Sequence, residues 1–275
     1  MKLSIITMNK DNAEGLQKTL DSVACQTWHN YEHIIVDGAS ADSSVDIIRN
    51  YAADAHPYPI NWLSEPDTGI YNAMNKGIRM ANGEYCLFLN SGDYLIEKDV
   101  LSKVFSTSFD EDVVYGFSKL DYGDHTKDSS RLQNITLRTL LEYTIHHSGN
   151  AFIRTDAFQK WGLYDENLKI VSDWKWFIQA VGLSIATTRF IDVCISVFSC
   201  DGISETQREL VLAERASVIE ELIPPRLLKD YENIEKLEKE IVQQEIRIRS
   251  SWSYRLGYAI LRPIKAVQKL VFFCN

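Results

Sequence analysis

The five cysteines, Cys25, Cys86, Cys194, Cys200 and Cys274, include no CxxC pair and no zinc-ligand spacing. That excludes a disulfide framework and a zinc ribbon, and an odd, unframed count fits a reducing cytosol. Cys86 and Cys194 sit inside apolar runs and read as small core hydrophobes. The chain has no apolar run of about 18 residues, so no transmembrane helix is expected. The apolar start at residues 3–7 is too short for the core of a signal peptide. Positive charge is outnumbered, 29 Lys and Arg against 38 Asp and Glu, and a net charge of −9 argues against general nucleic-acid binding. The exception is residues 245–275, where six Arg or Lys face one Glu, a local +5 that leaves −14 on residues 1–244. Glycine-rich phosphate motifs are missing too, since neither GxGxxG nor GxxxxGK[ST] follows the first apolar run.

What is present is an alternation of elements. At 275 residues, 45% hydrophobic and 24% charged, the chain has the make-up of one large globular α/β domain, or of such a domain with an appendage. Residues 3–7 predict a first strand, and Asp11 or Asn12 can cap a helix whose Leu16, Leu20 and Val23 share one face. Residues 31–36 predict a second strand ending in Asp37-Gly38-Ala39-Ser40. Ser40 or Asp42 can then cap a helix that buries Val45, Ile48 and Tyr51. Residues 60–63 predict a third strand, and residues 70–80 a helix closed by Asn82-Gly83. Cys86-Leu87-Phe88-Leu89 is a fourth strand that stops at Asn90-Ser91-Gly92-Asp93. Strands and helices alternating through short connections mean a mostly parallel sheet flanked by helices.

The strand ends carry Thr7 with Asn9, then Asp37, then Asn90 with Asp93. Each alone is ordinary turn chemistry. Ligands of open α/β sheets bind outside the carboxyl ends of the strands, so three polar ends on one rim point to a nucleotide-binding edge. With no glycine-rich phosphate loop, a metal-binding carboxylate is the candidate for holding the phosphates.

The second half is less regular. Residues 112–116 predict a strand, 120–134 a polar loop, 135–143 a short helix, and 151–154 a strand after His146-His147-Ser148-Gly149-Asn150. Ser172-Asp173-Trp174-Lys175-Trp176-Phe177 reads as a helix start with Ser172 or Asp173 at the N-cap and Trp176, Phe177 and Ala180 buried. From residue 205 the chain turns helical, interrupted at Ile223-Pro224-Pro225. Ile234, Leu237, Ile241 and Ile248 form a stripe too short for a coiled coil, which predicts a helix packed on the domain. Residues 251–273 mix aromatics with Arg and Lys, either an interfacial membrane segment or a packing helix with snorkelling Arg.

Seven segments in order resemble the family 2 glycosyltransferases over residues 1–204. They are Ser4-Ile5-Ile6-Thr7-Met8-Asn9; Ile34 through Asp42; Glu65-Pro66-Asp67-Thr68-Gly69 through Gly77; Ala81-Asn82-Gly83-Glu84-Tyr85 with the strand to Asp93; Gly162-Leu163-Tyr164-Asp165-Glu166; Ser172-Asp173-Trp174; and Val197 through Ser204. The resemblance implies an α/β GT-A fold, Rossmann-like and mostly parallel, with a C-terminal helical extension. Residues 1–204 would be the glycosyltransferase domain, split into a nucleotide-sugar half (1–100) and an acceptor half (101–204). Residues 205–275 would be the extension, ending in a basic amphipathic tail.

Residue by residue, Thr7, Asn9 and Asp37 match positions that contact the nucleotide base, usually uracil. Asp67, Asn75 and Lys76 match positions along the nucleotide and its diphosphate, or ordering the loop beside it. Asn90 and Asp93 match the DxD-type motif, with Asp93 at the metal position, and Asp173 matches the catalytic base. Many members read Asp-x-Asp-Asp where this chain reads Asn90-Ser91-Gly92-Asp93, which implies one protein carboxylate on the metal rather than two. His146 and His147 are a looser match to the family's His-Gln segment.

The chemistry of sugar transfer asks for the same parts. A diphosphate leaves with its charge, which Mn²⁺ or Mg²⁺ offsets as a Lewis acid, and Asp93 supplies a carboxylate for it. The acceptor hydroxyl, on a glycan or a lipid-linked saccharide, loses a proton, and Asp173 is placed to take it. A base opposite the leaving group gives a single displacement with inversion. The expected enzyme is a hexosyltransferase using a UDP-sugar, cytoplasmic and peripheral to the inner membrane face if the tail binds anionic lipid. A sugar nucleotidyltransferase would carry a glycine-rich loop where Thr7-Met8-Asn9-Lys10-Asp11 has no Gly. A non-catalytic nucleotide-sugar scaffold has no need of both Asp93 and Asp173.

Overall fold

Strand β1 (Leu3–Asn9) is buried along its whole length, which is why LSIITMN reads as a continuous run rather than an alternating one. The computed structural model describes residues 1–143, 148–200, 202, 206–252, 254 and 256. His146 and His147, and most of the basic tail, lie outside the described residues. β1 pairs in parallel with β2 (Tyr31–Asp37) on one side and with β4 (Tyr85–Phe88) on the other, and β2 pairs in parallel with β3 (Ile60–Ser64). Three helices make the crossovers: α1 (Ala13–Ala24), α2 (Ser44–Ala53) and α3 (Ile70–Met80). The spatial order β3-β2-β1-β4 reverses direction between β1 and β4. Such a switch point opens a crevice at the strands' carboxyl ends.

Local chemistry sets these elements. Asn12 caps α1, its Oδ1 accepting from Gly15 N at 3.1 Å, and Leu16, Leu20 and Val23 are buried as their spacing requires. Asp42 Oδ1 accepts from Ser44 N at the start of α2, whose Ile48 and Tyr51 are buried and Val45 half-buried.

Beyond β4 the sheet becomes mixed. β5 (Tyr94–Leu95), α4 (Val100–Val104), β6 (Val113–Asp121), β7 (Thr126–Asp128), α5 (Leu137–Glu142), β8 (Ala151–Arg154) and α6 (Ala157–Trp161) follow. α7 (Ser172–Phe177) runs into a π-helical turn at Ile178–Gly182, and β9 (Thr188–Ser199) completes the sheet. β8 inserts antiparallel between β4 and β6, β9 lies parallel to β6, and β5 pairs antiparallel with the end of β9. The mostly parallel character expected of the sheet holds for the pairings among β1 to β4 and for β6 with β9, while β8 and β5 pair antiparallel. The expected polar loop over 120–134 holds the short strand β7, paired with β6.

The chain divides into two compact units, Met1–Ile219 and Glu220–Asn275. Helix α8 (Arg208–Leu222) contributes its first turns to the first unit. In the second, α9 (Pro225–Ser250) starts with Pro at its first position, where the missing N–H costs nothing. α9 buries none of its residues, and Ile234, Leu237, Ile241 and Ile248 are exposed. Among the described residues no helix is long and apolar enough to cross a membrane.

Candidate active site

The parallel register sets Asn9 beside Asp37 at the ends of β1 and β2. Asn9 Nδ2 donates to Asp37 Oδ1 at 2.8 Å, and Ser40 N and Ser64 Oγ donate to Asp37 Oδ2 at 3.0 and 2.6 Å. Burial pushes the Asp37 carboxyl up, but the hydrogen bonds from Ser40, Ser64 and Asn9 outweigh it and hold it below the ordinary carboxylate value. The carboxylate also fixes the Asn9 amide, because a flipped amide would turn its oxygen onto that charge. Asn9 Oδ1 is left buried with no hydrogen-bond partner. A buried acceptor of that kind is costly unless a ligand donor meets it.

Asp67 closes the same rim. Its Oδ1 accepts from Gly69 N at 3.1 Å, and its Oδ2 lies where a Cβ on Gly38 would collide with it. Only glycine at 38 lets the loops after β2 and β3 approach this closely. Lys76 Nζ donates to Pro66 O at 2.9 Å and pairs with Glu65, so it orders the loop that carries Asp67. Asn75 has a different job. Its Nδ2 donates to Tyr164 O and Glu166 Oε1, and its Oδ1 accepts from Tyr164 N at 3.0 Å. The whole amide is used to hold the 164–166 segment on α3. Thr7 sits below the rim, fully buried, with its hydroxyl 3.0 Å from His33 Nε2. Burial first, and then His56, lowers the His33 pKa to about 3, so that ring is neutral.

The turn after β4 is held from three sides. Thr19 Oγ1 of α1 donates to Asp93 O at 2.6 Å and accepts from Gly92 N at 3.0 Å. Ser148 Oγ donates to Asp93 Oδ2 at 2.6 Å, and Ser199 N, at the end of β9, donates to Oδ1 at 3.0 Å. Gly149 is in the left-handed region (φ 75°), and a Cβ there would strike Ser196 Oγ, so this loop passes β9 with no room to spare. In the same turn Asn90 Oδ1 is buried without a partner.

Whether these residues fit a divalent metal turns on that donor set. Among the described residues no three His, Cys, Asp or Glu side chains gather into a protein cage. Asp93 offers one carboxylate and Asn90 an orphaned amide oxygen, both hard donors. Mg²⁺ and Mn²⁺ are commonly held by one or two carboxylates, with phosphate and water filling the remaining positions. The residues fit.

Asp173 lies in the first turn of α7. The residue at the N-cap position is Val171, and no side chain caps the helix, so neither Ser172 nor Asp173 takes the expected capping role. Instead Tyr71 Oη of α3 lies 2.7 Å from Asp173 Oδ1 and 2.5 Å from Ile170 O. Asp173 is only 9% exposed. Arg215 of α8 packs its guanidinium 4.8 Å over the Trp174 ring. Burial holds the Arg215 pKa below its ordinary value, with the Asp173 charge pulling the other way. Ring contacts run from Phe88 to Tyr164 to Tyr71 at centroid separations of 5.6 and 5.7 Å, linking the end of β4 to this pair.

Several partners in this arrangement carry no sequence signal. Ser148, Ser199 and Thr19 around Asp93, Ser64 on Asp37, and Tyr71 on Asp173 are ordinary residues made important by position. Glu214 is the plainest case, since its carboxylate accepts from the N–H groups of Lys169, Ile170 and Val171 at 2.7, 3.0 and 3.2 Å, just ahead of α7.

The family model for glycosyl transferase family 2 matches residues 4–166, more than half of the chain. A "PGL/p-HBAD biosynthesis glycosyltransferase" of Mycobacterium bovis is 31% identical over 208 residues, covering 74% of this chain and 79% of the relative. The fold matches Staphylococcus aureus TarS, solved with UDP-GlcNAc, at a TM-score of 0.63 and 21% identity, over 75% of this chain and 61% of that one. It also matches a Pyrobaculum calidifontis mannosyltransferase, solved with GDP-Man and Mn²⁺, at a TM-score of 0.59 and 14% identity, over 97% and 87% of the two chains. These two likenesses establish a GT-A-like fold, and with the family match and the relative they place this chain: it belongs to glycosyl transferase family 2 and is a glycosyltransferase.

Proposed function

We propose that this glycosyltransferase moves a sugar from a UDP-sugar to a hydroxyl of a glycan or lipid-linked acceptor, with inversion and with help from Mn²⁺ or Mg²⁺. The observation that carries the reading is the pair of buried carboxylates in unlike settings, Asp93 on the turn after β4 and Asp173 on α7. Two carboxyl groups whose surroundings differ divide the work of sugar chemistry between them.

Asn9 and Asp37 receive the nucleotide base. The N3–H of uracil is the kind of donor that buried acceptors such as Asn9 Oδ1 require. Asp67, on the loop ordered by Lys76, borders the same rim. Asp93, with the Asn90 amide oxygen, would hold the metal, which when bound offsets charge on the departing diphosphate. Asp173 removes the acceptor proton as the acceptor oxygen bonds to the anomeric carbon. The bond from that carbon to the diphosphate oxygen breaks, and its electron pair leaves with UDP. General-base help of this kind is worth roughly 10²–10⁴ in rate. A base on the face opposite the leaving group inverts the anomeric centre.

The acceptor reading extends to location, on the cytoplasmic face of a membrane. Trp252 is 83% exposed and follows a helix whose last turn carries Arg247 and Arg249, the make-up of an interfacial segment.

A thermal-shift screen of nucleotide sugars with and without Mn²⁺ tests the donor reading. Uridine nucleotides are expected to raise the melting temperature more when Mn²⁺ is present. Equal response to guanosine and uridine nucleotides, with no effect of metal, would overturn it.

A further inference from the structure

A phenol carries one proton and can give it to one acceptor at a time. Tyr71 faces two, Asp173 Oδ1 at 2.7 Å and the Ile170 carbonyl at 2.5 Å. We propose, resting on the reading of Asp173 as the base, that Tyr71 is a positioning residue whose hydroxyl turns between these two acceptors as Asp173 gains and loses the acceptor's proton. While Asp173 is ionised, the charge-assisted bond to Oδ1 is the stronger one. Once Asp173 is protonated, the carboxyl can donate to Tyr71 Oη, and the phenol proton moves to Ile170 O. Only the proton taken from the acceptor hydroxyl changes owner, since the phenol keeps its own throughout.

The second acceptor is held in place for this. Glu214 accepts from the N–H of Ile170 and of its neighbours Lys169 and Val171, which fixes the peptide that presents the Ile170 carbonyl. Among the described residues, groups facing Asp173 include Tyr71 on α3, Tyr164 on the loop before α7, and Arg215 on α8. Burial first, and then the Asp173 charge, pushes the Tyr71 phenol well above its ordinary value, so it stays a donor throughout the working range of pH. Tyr71 is itself buried, and Phe fits the same space without the hydroxyl.

The experiment compares Tyr71→Phe with the parent in the full chain, by urea unfolding across pH, alone and in an Asp173→Asn background. A hydrogen bond from Tyr71 to the ionised carboxylate favours the charged form of Asp173, and the phenylalanine variant lacks it. The stability advantage of Tyr over Phe is therefore full at neutral pH and shrinks as pH falls through the titration of Asp173. In the Asp173→Asn background the pH-dependent part is expected to vanish. A Tyr71→Phe effect equal at every pH, or one that keeps its pH dependence without Asp173, would overturn the proposal.

A second arm follows release of UDP, with Mn²⁺, from the UDP-sugar that gives the largest thermal shift. Tyr71→Phe is expected to move the acid limb of kcat upward by about one to two pH units, the effect of losing one hydrogen bond to a charged group, with KM changed less than about twofold. An unmoved limb beside an inactive Asp173→Asn would defeat the Tyr71 proposal alone. Full activity in Asp173→Asn would defeat the base assignment and leave the urea result to stand on its own.

Discussion

Ser148 donates its hydroxyl to Asp93 Oδ2 at 2.6 Å, tying the turn after β4 to a residue 55 positions later in the chain. The carboxylate read as the metal ligand is thus aimed by the loop that enters β8, with Ser199 N on its other oxygen. Outer partners that orient a ligand are worth about 10–100-fold in metal affinity. Ser148→Ala is therefore expected to raise the Mn²⁺ concentration for half-maximal nucleotide-sugar hydrolysis by at least about tenfold, with UDP binding in the absence of metal unchanged. A Mn²⁺ titration of the two chains checks it.

Asp37 makes a prediction about pH. Its carboxyl is held below the ordinary 3.8 in the folded chain, so the stability it supplies is complete above that value and is lost as pH falls through the depressed pKa. Asp37→Asn is expected to lower the urea midpoint at pH 7, and the gap to the parent is expected to close below about pH 4. The same variant is expected to weaken UDP binding, read by calorimetry at pH 7.

Glu214 shows what lay beyond the reach of the sequence. The resemblance ended near residue 204, yet a side chain ten positions on accepts three backbone N–H groups just before α7. Stripping a shared acceptor from partly buried donors costs about 1–3 kcal/mol. Glu214→Ala is expected to lose that much by urea unfolding, and a chain ended at 204 to lose more.

The first hundred residues were legible because their signals are local. Asn12 as a cap, the Leu16-Leu20-Val23 face, the continuous runs of β1, β2 and β4, and the polar ends at Asn9, Asp37 and Asp93 all follow from spacing within one element. The second half depends on pairings far apart in sequence. β9 carries little local strand signal, since much of it is only half-buried and its pairing with β6 shifts register twice near Phe117. β5 is two residues long and exists by pairing with β9. Asp173 was legible as a position but not as an environment, because Tyr71 lies 102 residues before it. Asn75 shows the reverse: its motif was plain, but its use, holding Tyr164 and Glu166, needed the fold.

The exposed end of α9 carries a prediction about lipid. Anionic vesicles are expected to float the full chain and to leave behind one ended at Ser250, with the difference fading at high salt. Equal flotation of both chains, or of neither, would remove the tail from the account.

The central claim is the division of labour between Asp93 and Asp173, and Asp173→Asn tests it most directly. The variant keeps the amide in place of the carboxylate, so UDP with Mn²⁺ is expected to shift its melting temperature as it does the parent's. Sugar transfer is expected to fall by a factor on the order of 10²–10⁴, the share a general base supplies. Transfer at the parent rate by a folded, UDP-binding Asp173→Asn would contradict the account.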